Sequence, residues 1–181
     1  ITKEELCGQL SEDVEVLATK LHLTKEQTLD KLTENYDGYH FSAYSPDDFN
    51  PYSLFNCFAQ GKLGSYWFGS GTPTYLINMM RKYDVLPTGI TRVEADESEF
   101  DAPTEDMTTL MPLLYQSGYL TIKDYNRDYN YYTLDIPNKE VKIGLTKALI
   151  PSYVTGNTLA ATNTARRIAQ ALDKQDMDGA L

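Results

Sequence analysis

The stretch from Tyr36 to Ile77 constrains the fold more than any other part of the chain. Asn50-Pro51 and Thr72-Pro73 each set a capping side chain before a proline that is preorganised for the first helical turn. Between these two helix starts lie the only tryptophan, Trp67, and its neighbours Tyr66 and Phe68. Tyr36-Asp37-Gly38-Tyr39-His40-Phe41 precedes them. Two helices with fixed starts, separated by an aromatic loop, make a packing centre. The flanking segments read as amphipathic pieces laid against it.

Upstream, Thr2 with Glu5 and Thr24 with Gln27 have capping-box spacing. Val14, Leu17, Ala18 and Leu21 form one apolar face of a helix opened by Ser11. Leu29, Leu32 and Tyr36 continue a stripe that Gly38 can end. Downstream, Asp84 to Met107 is acidic and poor in apolar residues, so a connector is expected, with a short strand over 90–95. Thr104 can cap a helix to Gln116, and Gly118 stops it. Tyr119–Tyr125 alternates as a strand, Asn126-Arg127-Asp128 turns, and Tyr129–Asp135 returns. A helix with Val141, Leu145, Leu149 and Ile150 follows, which Pro151 breaks or kinks, and a last helix starts after Gly156-Asn157-Thr158. The fold class expected is therefore mainly α with a small β-hairpin.

The net charge of −10 argues against a general nucleic-acid binder, because phosphate neutralisation needs Lys and Arg. No run of about 18 apolar residues offers a transmembrane helix. Cys7 and Cys57 have no metal or redox spacing, and a reduced cytoplasmic setting is expected. Opening on Ile1 and stopping at Leu181 within a helix-like pattern, the chain reads as a piece of something longer.

Phosphate binding of the P-loop kind needs Gly-x-x-x-x-Gly-Lys-Ser/Thr. Gly61-Lys62 lacks both the upstream glycine and the following hydroxyl, since Asn56 and Leu63 stand there. Glu140-Val141-Lys142 has the letters of a nuclease Glu-x-Lys, but it enters a helix after Pro137-Asn138 instead of ending an apolar strand. His22 and His40 are isolated, so no metal site is expected. Gly69-Ser70-Gly71-Thr72 before Pro73 can point N–H groups at an anion, and tight-turn packing beside Tyr66 and Trp67 is the plainer use. If a longer parent protein closes a lid over a nucleotide, Trp67, Ser70, Gly71, Thr72 and Arg81 are the candidates for contact with its core or with a partner.

Tyr36–Phe41, Asn50-Pro51-Tyr52-Ser53-Leu54, Tyr66-Trp67-Phe68, Ser70–Thr74 and Gln116–Ile122 together resemble an AAA-ATPase-like family of gut bacteria. Its members usually carry a PD-(D/E)XK nuclease-like domain after the ATPase. The resemblance covers nearly the whole chain and maps to the part between the P-loop core and the nuclease. It implies a helical lid-like bundle over 1–50 and a winged-helix-like module over 51–155 with the acidic connector at 84–106. A linker helix over 156–181 would lead to a C-terminal domain. It implies partners in those two flanking domains, and ATP and Mg for the intact parent alone. The expected function is a non-catalytic module coupling the two. A protein-interaction module using the aromatic stretch is the alternative, and a DNA-binding winged helix ranks lower. The expected groove helix carries no Lys or Arg and opens with Glu105 and Asp106.

Overall fold

The computed structural model describes residues 1–70, 74–83, 85, 87–103 and 107–153. The described chain is mainly α-helical with a small antiparallel sheet. Helix α1 (Lys3–Gly8) and α3 (Lys25–Tyr36) both open on complete capping boxes, at Thr2 with Glu5 and at Thr24 with Gln27. Between them α2 (Ser11–Leu21) ends on His22, which takes the left-handed conformation without being glycine. Helix α4 (Pro51–Gln60) is capped by Asn50, whose side chain accepts from the Ser53 N–H, and stops at left-handed Gly61.

These four helices share one apolar cluster, built on Leu6, Val14, Leu17, Leu32, Leu54 and Cys57. The cluster extends through Phe49 to Tyr66. Fully buried Tyr36 fixes the far end of this unit. Its hydroxyl donates to the Gly64 carbonyl at 2.8 Å and accepts from the Gly64 N–H at 2.9 Å.

A single 3₁₀ turn, Trp67–Ser70, leads toward α5 (Thr74–Lys82), whose Leu76, Ile77 and Met80 face inward. A second 3₁₀ turn (Pro87–Ile90) precedes β1 (Val93–Ala95). Then come α6 (Glu97–Phe100), α7 (Met111–Gln116), β2 (Thr121–Asn126), β3 (Tyr131–Asp135) and α8 (Lys139–Tyr153). The sheet order is β1-β3-β2, antiparallel throughout. Its core holds Leu76, Ile90, Phe100, Leu114, Leu134 and Leu145 among others.

Several expectations need correction. The helix read as running from Thr104 is helical only over Met111–Gln116. Pro112 explains this: it lacks an N–H and disfavours helical geometry before it, so it belongs in a first turn. Residues 104–106 lie outside the described residues. The acidic connector is more ordered than its composition suggests. The short strand expected over 90–95 is present as β1, and α6, on an Asp96–Glu99 capping box, is the unexpected element. Phe100, only 2% exposed, meets Tyr115 and Tyr132 edge-on. Helix α8 runs through Pro151 to Tyr153. The last expected helix lies outside the described residues, as do the side chains of Leu149 and Ile150.

Candidate functional site

The two apolar clusters meet along a seam that the Tyr36–Phe68 stretch supplies on one side, with β2 and the start of α8 on the other. Polar contacts join them at three points. The first is at β2, whose first residue, Thr121, is buried. Its hydroxyl accepts from the His40 N–H at 2.8 Å and donates to the His40 carbonyl at 2.9 Å. One side chain thus satisfies both backbone groups of a residue 81 positions away.

The second point is a β-bulge. The β2–β3 register shifts between Ile122 and Asp124, leaving Lys123 without a partner. A bulge re-aims its side chain. Lys123 Nζ donates to the Gly38 carbonyl at 2.6 Å and the Pro137 carbonyl at 3.1 Å. Burial of the ammonium pushes its pKa down, against the pull of Asp47, Asp135 and Asp37. Gly38 must be glycine here. Its φ is +95°, and a Cβ would sit 2.4 Å from the Pro137 carbonyl oxygen.

The third point is Glu140, 2% exposed in the first turn of α8. Its Oε1 accepts from the Trp67 N–H at 2.9 Å and also from the Tyr66 N–H. Its Oε2 has no hydrogen-bond partner. Two consecutive backbone donors converging on one carboxylate oxygen fix the entry to the Trp67–Ser70 turn. Beside it, Lys139 reaches Glu34 of α3 at 2.7 Å. Lys139 and Lys31 hold the Glu34 carboxyl below the usual carboxylate range.

Aromatic packing covers the same seam. Trp67 meets Phe68 at 5.0 Å and Tyr119 at 4.9 Å, both edge-on. The Phe68 ring lies so close to α8 that a Cβ on Gly144 would fall 2.0 Å from two of its carbons. The aromatic stretch is only partly core. Tyr36, Tyr39, Phe49 and Tyr66 are buried, whereas Phe41, Tyr44, Tyr52 and Phe55 are exposed.

Of the five candidates read from the sequence, Trp67 stands at this seam. Ser70 closes the 3₁₀ turn, and only its backbone is described. Gly71 and Thr72 lie outside the described residues. Arg81 occupies the exposed last turn of α5. The residues that join the seam, Glu140, Thr121 and Lys123, were not among the candidates. Glu140-Val141-Lys142 drew notice for its letters, yet Glu140 is committed to backbone N–H groups. Among the described residues, no group of three or more His, Cys, Asp or Glu side chains could hold a metal ion. None of the described helices is long and apolar enough to cross a membrane.

No protein-family model matches the chain. No solved structure matches it either. An uncharacterized protein of the vnfD 5′ region of Azotobacter chroococcum mcd 1 is 30% identical over 152 residues. That match covers 82% of this chain and 28% of the Azotobacter protein, so the chain spans less than a third of the relative it matches.

Proposed function

We propose that this chain is the non-catalytic lid and winged-helix segment of a bacterial AAA-ATPase-like protein. It couples a P-loop core to a nuclease-like domain, both outside the chain, in a cytoplasmic protein. The observation that carries this reading is the Glu140 contact. It ties the first turn of α8 to the turn that leads into the candidate nucleotide-facing residues Ser70, Gly71 and Thr72. Movement at either end of that contact is passed to the other, because one carboxylate oxygen holds both backbone N–H groups.

The element order supports the winged-helix part. A helix, a strand, two helices and a hairpin follow one another, with β1 lying beside β3. Two features speak for coupling over DNA binding. Helix α7 has no Lys or Arg. Of the hairpin's cations, Lys123 is held by two carbonyls and Arg127 lies 5.2 Å over the Tyr44 ring. Phosphate contacts need such groups free.

The chain alone should be inert toward ATP and toward single- or double-stranded DNA, and should give no electrophoretic shift at low salt. Turnover of either substrate, abolished by a point change within the chain, refutes the reading. In a parent protein that includes the core, Thr72→Ala and Arg81→Ala should weaken nucleotide binding. Unchanged affinity removes those two residues from the interface.

A further inference from the structure

A cavity of about 250 Å³ opens where the 41–44 loop faces α6, α7 and β3. Small-molecule sites commonly measure about 300–1,000 Å³, so this one suits a single compact group and not a nucleotide. Rings of Phe41, Tyr44, Tyr115 and Tyr132 wall it. Tyr115 and Tyr132 are held by the core, since buried Phe100 stands edge-on to the first at 4.7 Å and to the second at 5.3 Å. Phe41 and Tyr44 are exposed, so the cavity is reached from solvent.

Two observations choose the occupant. The first is charge. Glu97, the first residue of α6, and Asp101, its C-cap, line the cavity, and no Lys, Arg or His does. Both side chains are exposed, and neither carboxylate makes a hydrogen bond or an ion pair among the described residues. The hairpin's Lys123 and Arg127 line a neighbouring cavity instead. The second is the rings, which stand close to those carboxylates: the Tyr115 hydroxyl is pushed up in pKa by burial and then by Asp101 and Glu97. Ring faces carry partial negative charge and attract a cation, most strongly one that loses its water easily. Carboxylates alone take any cation, whereas carboxylates beside rings favour one whose charge is spread over methyl groups. A metal ion is poorly served, because among the described residues no group of three or more ligating side chains could hold one.

We propose that this cavity binds an alkylated ammonium ion, its methyl groups against Tyr44, Tyr115 and Tyr132 and its charge balanced by Glu97 and Asp101. A free cation of the choline type and a methylated lysine side chain share this chemistry. The site is separate from the coupling role and stands or falls without it.

The test is a two-dimensional amide NMR titration of the chain with choline, set against neopentyl alcohol, an uncharged molecule of similar shape, and against sodium chloride at equal ionic strength. Choline should give saturable shifts at the amides of residues 97–101 and of Tyr132. Glu97→Gln combined with Asp101→Asn should weaken its binding about tenfold, and Tyr44→Ala several-fold. All three positions are exposed, so the fold survives these changes. The alcohol and sodium should bind far more weakly than choline. A short peptide carrying trimethyllysine, run beside choline, tells a side-chain source from a free one by which binds tighter. The proposal is overturned if choline gives no saturable shift, or if the doubly substituted chain or Tyr44→Ala binds it as tightly as the parent. Equal binding of the alcohol would reduce the site to an apolar hollow, and equal binding of sodium to an acidic patch; either overturns it as well.

Discussion

Replacing Glu140 with alanine removes the acceptor from the N–H groups of Tyr66 and Trp67. The first of these bonds is buried and the second half-buried. A buried donor left without a partner costs about 1–3 kcal/mol. Against that, alanine relieves the desolvation of a carboxylate whose Oε2 has no partner. The net loss is about 2–4 kcal/mol, which for a chain of this size lowers Tm by about 5–15 °C. Glu140→Gln keeps the shape and an acceptor oxygen, and its NH₂ takes the position of the unpartnered Oε2, so it should lose only about 1 kcal/mol. Urea unfolding followed by Trp67 fluorescence reads both, because Trp67 is the sole tryptophan and sits at the broken contact. An alanine variant within about 0.5 kcal/mol of the parent would refute the reasoning. So would a glutamine variant as unstable as the alanine one.

Gly144→Ala should gain up to about 1 kcal/mol of helix propensity but lose about 1–3 kcal/mol by driving a methyl into the Phe68 ring. In a Phe68→Ala background the same change should turn stabilising, and an equal cost in both backgrounds would show that the ring is not responsible. Glu34 has its folded pKa below the ordinary carboxylate value, so its contribution is present above that ordinary value and is lost as pH falls through the lowered one. At such an exposed pair this amounts to a few tenths of a kcal/mol. Lys139→Ala should flatten the slope of unfolding midpoint against pH in that acid range, and an unaltered slope would deny the α3–α8 bridge any weight. Cys7 is exposed while Cys57 is fully buried with its thiol pKa pushed up by burial. Ellman's reagent should therefore titrate Cys7 quickly and Cys57 only after denaturation, and equal rates would contradict the packing of α4.

Local chemistry was legible in the sequence, and long-range chemistry was not. The caps at Thr2, Thr24 and Asn50, the stop at Gly61 and the β2–β3 hairpin follow from side chains acting within a few residues of themselves. His22 escaped notice because left-handed backbone favours glycine, and only the structure shows a histidine bearing it. Pro112 marks a first turn, since it lacks an N–H, and the reading from Thr104 did not use it. The acid-rich 84–106 segment reads as a connector because its apolar content is sparse, yet Ile90, Ala95 and Phe100 are buried in the core, and Phe100 packs between two tyrosines. Glu140 lay furthest from reach. Its partners are 73 and 74 residues upstream, and a backbone N–H leaves no mark in the sequence. Lys123 was hidden likewise, since the bulge that turns it toward Gly38 shows only in the register. Trp67 was singled out as part of an aromatic packing centre, and it does pack there, against Phe68 and Tyr119.

Amide hydrogen exchange across residues 66–70 and 139–145, in a parent protein carrying the nucleotide core, tests the coupling most directly. Added nucleotide should change protection in both segments together, and Glu140→Ala should confine the change to the first. Nucleotide binding that leaves both segments untouched, or a response at α8 that survives the loss of the Glu140 carboxylate, would contradict the account.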